Sequence, residues 1–293
     1  MTHVPVLQKE VLEKLDPKPN ENFVDCTVDG GGHSLAVLEK IKPKGRVLGI
    51  DLDNELVRRL ETLKREHDLN NLTIVCGNYV NLKEIVEKTE FGPVAGILLD
   101  LGMSSWQLEE SGRGFSFQEN EPLDMRYGRG RGDITAAEIL NKFEEKEIER
   151  ILKEFGEEKF SRKIAKEIAM TRKIRPIETT FQLVEIIKKI VPRRYQNLRI
   201  HFATRTFQAL RIAVNKEIYN LKKVLPQAIE ILSPEGRIAI ISFHSLEDRI
   251  VKRFLNQEKS LKIITKKPIT ASSKEIIINP RSRSAKMRVA VKI

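Results

Sequence analysis

The run Asn22–Ser34, NFVDCTVDGGGHS, places Gly30, Gly31 and Gly32 directly before His33. Phe23 to Val28 reads as a buried strand, and Ser34 to Ile41 carries the apolar periodicity of a helix. Strand, glycine turn and helix open a nucleotide-type site. The glycines let the backbone approach a ligand closely, and the helix N-terminus offers free N–H groups to its polar end. Twenty residues beyond Gly31, a second strand, VLGIDLD, ends in acid at Asp51. A carboxylate there can accept both hydroxyls of a ribose, so the spacing points to a ligand carrying adenosine. Asp100 ends a further strand, Val94 to Leu101, that is otherwise continuously apolar. One acid at the mouth of a sheet indicates a site and not a core. His244, in SFHS, follows a later strand. It could act as a base or an RNA contact, but a tie to Glu247 or Asp248 is the favoured reading.

These residues need a frame that presents strand ends together. His3 to Leu15 reads as a short N-terminal helix, and strands follow at Phe23, Arg46–Asp51, Leu72–Cys76 and Val94–Leu101. Helices Asn54–His67 and Leu82–Lys88 alternate with them, the rhythm of a parallel sheet covered on both faces. Ser104 to Tyr127 is irregular. From Thr135 the pattern is helical only: a capping box at Thr135–Glu138 starts a helix to about Phe155, Phe160–Arg172 continues, and Thr179–Gln182 caps another that ends at Pro192. Residues 113–213 thus read as an inserted helical domain within a discontinuous domain of 1–112 and 214–293. Val214–Leu232 is expected as one helix, followed by strand Arg237–Phe243, helix Leu246–Leu255 and a terminal antiparallel pair, Leu261–Lys266 and Met287–Ile293. The sum is a seven-stranded α/β sheet, the Rossmann-like layout of class I methyltransferases. A dinucleotide oxidoreductase would more often show G-x-G-x-x-G and a sixth parallel strand.

At 293 residues, with 40% hydrophobic residues and a net charge of +11, the chain can bury a large core and suits a polyanionic partner, RNA above all. No apolar run is long enough to cross a bilayer and no signal pattern opens the chain, so a cytoplasmic protein with no membrane partner is expected. Cys26 and Cys76 read as reduced thiols, and nothing has metal-ligand spacing.

Longer motifs appear in order: His3-Val4-Pro5-Val6-Leu7, Gly31-Gly32-His33-Ser34, ILLDLGMSS (97–105), RGFSF (113–117), PLDMR (122–126), ATRTFQALRI (203–212), SFHSLEDRIVKRF (242–254) and NPRSRSAKMR (279–288). Across essentially its whole length the chain resembles the bacterial 16S ribosomal RNA (cytosine-N4)-methyltransferase family, once known as MraW. The resemblance implies a class I methyltransferase fold with an inserted helical domain. It also implies S-adenosylmethionine as cofactor, and methylation of N4 of a cytosine in the decoding centre of the small ribosomal subunit. By the same resemblance Gly31, Gly32, His33, Asp51, Tyr79, Asp100 and Gln107 contact the cofactor. Tyr79 alone would pass for a core residue and Gln107 for a surface one. Three departures stand out: Trp106 and Phe202 replace frequent prolines, and Val28-Asp29-Gly30 replaces a commoner Leu-Gly-Ala.

Methyl transfer to an exocyclic amine needs proximity and alignment more than covalent help. Asp100, or a nearby backbone carbonyl, is the candidate acceptor for the N4 protons. Ser104 and Ser105 either contact the base or fill the turn. RNA is expected to meet Arg113, Arg126, Arg129 and Arg131, which lie among Phe115, Phe117 and Tyr127, and also Arg281, Arg283 and Lys286. The rival readings are a nicotinamide oxidoreductase, a non-catalytic RNA-binding ribosome-assembly factor, and a methyltransferase on a non-RNA acceptor.

Overall fold

The computed structural model describes residues 5–128, 130, 133–196 and 200–293. His3, Val4, Arg129 and Arg131 lie outside the described residues. The chain divides into two compact units, Met1–Ser104 with Ile218–Ile293, and Ser105–Glu217.

The elements run α1 (Gln8–Leu15), β1 (Phe23–Asp25), α2 (Gly32–Ile41), β2 (Val47–Asp51), α3 (Asn54–Glu66), β3 (Leu72–Cys76), α4 (Leu82–Lys88) and β4 (Val94–Asp100). The second unit holds α5 (Ser105–Glu109), α6 (Ala136–Lys142), α7 (Glu145–Gly156), α8 (Ser161–Thr171), α9 (Thr180–Ile190), α10 (Arg193–Gln196) and α11 (Thr204–Asn215). Then follow α12 (Glu217–Ile231), β5 (Leu232–Ser242), α13 (Ser245–Gln257), β6 (Leu261–Ile263), α14 (Ser273–Ile278) and β7 (Lys286–Lys292).

All seven strands form one sheet in the order β3-β2-β1-β4-β5-β7-β6. Strands β1 to β5 pair in parallel, while β7 runs antiparallel to both β5 and β6. This is the class I methyltransferase sheet. Its inner strands are apolar without alternation because both faces are covered. On β4, Ile97 and Leu99 join one buried cluster with Leu82, Val224 and Val251, whereas Leu98 joins the other with Val37, Ile41 and Leu60. The chain leaves β1 toward β2 and β3 and then returns to β4 on the opposite side of β1. The switch point therefore lies between β1 and β4, where such sheets open a crevice beyond the strand ends.

Several sequence-based boundaries shift. The first strand's ladder stops at Asp25, although Val28 N–H still donates to the Ile50 carbonyl at 2.9 Å. The helix expected from Thr135 to Phe155 is two, because Phe143 and Glu144 turn extended between α6 and α7. The helix expected from Val214 starts later, since Lys216 takes a left-handed conformation, φ 52°, that ends α11. The segment Ser104–Tyr127 contains the short helix α5. In β5, pairing jumps from Leu232 opposite Val94 to Arg237 opposite Gly96, so the Pro234-Glu235-Gly236 turn becomes a bulge inside the strand. Among the described residues no helix is long and apolar enough to cross a membrane.

Candidate active site

The glycine turn is built by backbone demands. Gly31 has φ 81°, and a Cβ there would lie 2.7 Å from Leu60 Cδ1. A methyl group on Gly32 would overlap the Pro5 ring. Both positions therefore require glycine, the first for its conformation and the second for the close approach of the N-terminal segment. Gly32 begins α2 and His33 follows in its first turn, 7% exposed.

Five carboxylates, those of Asp25, Asp29, Asp51, Asp53 and Asp100, gather at the strand ends around this turn. Asp25, 4% exposed, accepts the Ser34 hydroxyl at 2.8 Å and the Thr27 N–H at 3.2 Å. Asp51 accepts the Asp29 N–H at 3.0 Å on one oxygen and the Asp53 N–H at 2.8 Å on the other. Asp53 in turn caps α3 by accepting the Glu55 N–H at 3.1 Å. Asp100 N–H donates to Thr27 Oγ1 at 2.7 Å across the switch point, and Asp100 Oδ1 accepts the Gly102 N–H at 3.1 Å. Its other oxygen lies 3.5 Å from His33 Nε2.

Burial and mutual repulsion strain this group electrostatically. Desolvation first, then the charges of Asp51 and Asp100, push Asp29 up to about 8. Desolvation likewise raises Asp51 to about 6, against the lowering effect of its two backbone donors. Burial raises Asp25 too, partly offset by His33 and the Ser34 hydroxyl. Among the described residues neither ring nitrogen of His33 has a hydrogen-bond partner, although both are buried. Buried polar atoms without partners are costly, and acids that repel one another favour a cation. The crevice thus offers carboxylates and an unsatisfied imidazole to a ligand that carries positive charge and hydrogen-bonding groups.

Gly31, Gly32, His33, Asp51 and Asp100 all sit at this sheet end. Tyr79 stands in the 3-10 turn just past β3, packed against the core, with Gly77 N–H tying that turn to the Asp51 carbonyl at 2.8 Å. Gln107 belongs to the other unit, on α5, and is 6% exposed, so it is not the surface residue its sequence context suggests. Asp25, Asp29 and Thr27 complete the cluster and were not singled out by sequence reasoning. The signal for Asp25 and Asp29 was an acid on either side of a short strand end beside the glycines.

His244 is tied to Glu247 at the start of α13. It caps α13, its Nδ1 accepting the Glu247 N–H at 3.4 Å and its Nε2 lying 3.1 Å from Glu247 Oε1. Glu247 in return accepts the Phe243 N–H at 2.9 Å.

Within the helical unit, three residues of the expected RNA surface are committed elsewhere. Arg113 is 7% exposed; its guanidinium donates to the Tyr127 carbonyl at 2.8 Å and lies 4.8 Å from the Trp106 ring centre. Phe115 is 6% exposed and stacks on Tyr127 at 5.5 Å, so its ring is not available to a base. Arg126 holds Asp124 through two hydrogen bonds, at 2.7 and 2.8 Å, which offsets its charge. Arg113 is turned inward because an irregular segment has backbone carbonyls that need donors.

The profile of the MraW methylase family matches residues 1–293. A ribosomal RNA small subunit methyltransferase H from Heliobacterium mobile is 46% identical over 310 residues, covering 99% of each chain. Its namesake from Clostridium botulinum (strain Kyoto / Type A2) is 45% identical over 309 residues, again covering 99% of each. A solved putative methyltransferase from Streptococcus mutans, in complex with SAH, aligns over 98% of this chain and 95% of that one, with 9% identity and a TM-score of 0.47. With a family profile spanning every residue and relatives matched end to end, the chain belongs to the MraW methylase family.

Proposed function

We propose that the chain is an S-adenosylmethionine-dependent methyltransferase that modifies N4 of a cytosine in 16S ribosomal RNA, at the decoding centre of the small subunit. The observation that carries the cofactor reading is the buried His33 ring, neither of whose nitrogens is hydrogen-bonded among the described residues, beside the Asp25–Asp29–Asp51–Asp100 cluster. That donor and acceptor set fits the cofactor: carboxylates suit its ammonium and sulfonium charges, and Asp51 still has lone pairs for ribose hydroxyls. When bound, the cofactor supplies a methyl group already activated by the positive sulfur. Gly31 and Gly32 would let it lie against the backbone, Asp51 would hold the ribose, Tyr79 would flank the adenine, and Gln107 would add a further contact. Kinship with small-subunit rRNA methyltransferases supports the RNA acceptor.

The protein's contribution to the transfer is positional. The N4 amine is a weak nucleophile because its lone pair is delocalised into the ring. Asp100 is held by Thr27 and Gly102, and it keeps one carboxylate oxygen turned toward His33. In this reading that oxygen accepts an N4 proton, which orients the amine and takes up positive charge as the new N–C bond forms.

The test is transfer of labelled methyl from S-adenosylmethionine to purified 30S subunits, followed by nucleoside analysis. Labelled N4-methylcytidine at one position is the expected result. No transfer to subunits or to free 16S RNA, despite cofactor binding, would sink the assignment.

A further inference from the structure

The helical unit carries three aromatic rings in contact that its core does not absorb. Phe117 stacks on His201 with ring centres 4.4 Å apart and planes 14° from parallel. Phe202 lies against the same imidazole at 4.2 Å and 30°. Phe207 is buried and braces Phe117 edge-on at 5.4 Å. His201 is exposed, while Phe117 and Phe202 are half-buried. The imidazole is also fixed in one form: its Nδ1 accepts the Ala203 N–H at 3.2 Å, leaving the proton on Nε2. Partial desolvation by the two phenyl rings holds its pKa below the ordinary 6.5, so the imidazole is neutral near pH 7.

Hydrophobic burial alone does not account for this arrangement. A core contact would hide the rings, and here the central one faces solvent beside Ile200, itself 55% exposed. Flat, neutral, conjugated rings held in register at a surface match the face of a nucleobase, which stacks on them irrespective of its identity. Cations stand on the same unit: Arg205, the second residue of α11, is exposed while donating to the Glu157 carbonyl at 2.7 Å, and Arg193 and Arg194 on α10 are exposed. The chain's net charge of +11 gives the same sign at long range.

We propose that Phe117, His201 and Phe202 form a stacking platform for an unpaired base of the RNA acceptor. The proposal rests on the RNA reading above and names where the helical unit grips that RNA. An unpaired base held here leaves the hydrogen-bonding edge of the base free, so the platform anchors a single-stranded segment without reading its sequence.

The experiment uses the full chain and a short single-stranded RNA carrying one 2-aminopurine, whose fluorescence falls on stacking. Wild type is expected to quench the probe and bind it, and Phe202→Leu, which keeps apolar bulk but removes the ring, to lose the quench and bind roughly tenfold more weakly. Phe202→Tyr restores both. An RNA with an abasic site at the probe position binds wild type no better than the probe binds Phe202→Leu. Equal quench and affinity in wild type and Phe202→Leu would overturn the platform. So would a Phe202→Leu defect seen only with whole 30S subunits, which would indicate a protein-facing surface. Methyl transfer to 30S subunits by wild type is measured alongside. Transfer with an unaffected Phe202→Leu removes the platform alone, whereas neither RNA affinity nor transfer in wild type removes the RNA reading and the platform with it.

Discussion

The titration of Asp29 ties a single residue to the stability of the fold. Its ordinary pKa is 3.8 and its folded value about 8. Between those values the folded chain keeps a proton that the unfolded chain has released, so stability falls as pH rises through the window. Asp51, raised to about 6, acts in the same direction over a narrower range. Asp29→Asn removes the larger effect, and asparagine tolerates the left-handed φ of 45° that the position adopts. In the cofactor-free protein the melting temperature of Asp29→Asn should exceed that of wild type by several degrees at pH 8, with the gap narrowing steadily toward pH 5 and closing only below the ordinary value of 3.8. A constant gap across that range would show that the carboxylate does not titrate as its surroundings dictate. Asp100 makes a different prediction, because it is placed to accept a proton. Asp100→Asn keeps an acceptor oxygen for Gly102 but loses the charge, and kcat for methyl transfer should fall about a hundredfold, the lower end of general acid–base effects. Calorimetry on the same variant should show cofactor affinity changed far less than turnover; a loss confined to affinity would return Asp100 to a binding role.

At the scale of elements, the turn between β1 and α2 is where conformation and ligand approach are set together. Gly32→Ala places a methyl group into the Pro5 ring. The N-terminal segment must move to accommodate it, and Gln8 Nε2, which donates to the Gly32 carbonyl at 3.0 Å, moves too. The expected outcome is at least a tenfold loss of cofactor affinity by titration calorimetry, with the far-ultraviolet spectrum unchanged. The capping box of α6 offers a purely structural counterpart. Thr135→Ala removes the acceptor of the Glu138 N–H and should cost about 1 kcal/mol, read from denaturant unfolding, with no effect on cofactor binding. Such boxes were legible in the sequence because they are local. So were β3 and α4, whose observed bounds match the sequence reading residue for residue, since Gly77 and the asparagines on either side punctuate them. The breaks at Phe143 and Lys216 were not legible. Apolar periodicity runs on across both, and neither carries the glycine or proline that usually marks a helix end. The site divides the same way. Asp51 and Asp100 stand out as single acids ending apolar strands. Asp25 and Asp29 look like ordinary turn acids until strand pairing sets the Asp29 N–H on Asp51 and Thr27 under Asp100. The inward turn of Arg113 is likewise invisible in sequence, because its partners are the carbonyls of Arg126 and Tyr127 and not side chains.

For the molecule as a whole, the surplus of 52 basic over 41 acidic residues is the long-range term. Many of the basic side chains sit in local pairs: Arg150 bridges Glu147 and Glu154 on α7, Arg288 and Lys286 share Asp248, and Arg211 is held by Glu217. Paired cations of this kind contribute little to a phosphate backbone, so the effective contact number is smaller than the count of 52 basic residues. Each phosphate neutralised releases condensed counterions, and the slope of log K against log salt reports how many cations make contact, at roughly 0.7 per phosphate on single strands. Arg283, exposed in the turn before β7, is a candidate for one such contact. Arg283→Gln should therefore weaken binding of a single-stranded 16S fragment at low salt and make the slope shallower by about one phosphate contact. The difference between variant and wild type should shrink as salt rises, because screening removes what the substitution removed. A variant that weakened binding equally at every salt concentration would mean that Arg283 acts through local structure. A wild-type affinity indifferent to salt would mean that stacking and shape, and not the net charge of +11, hold the RNA.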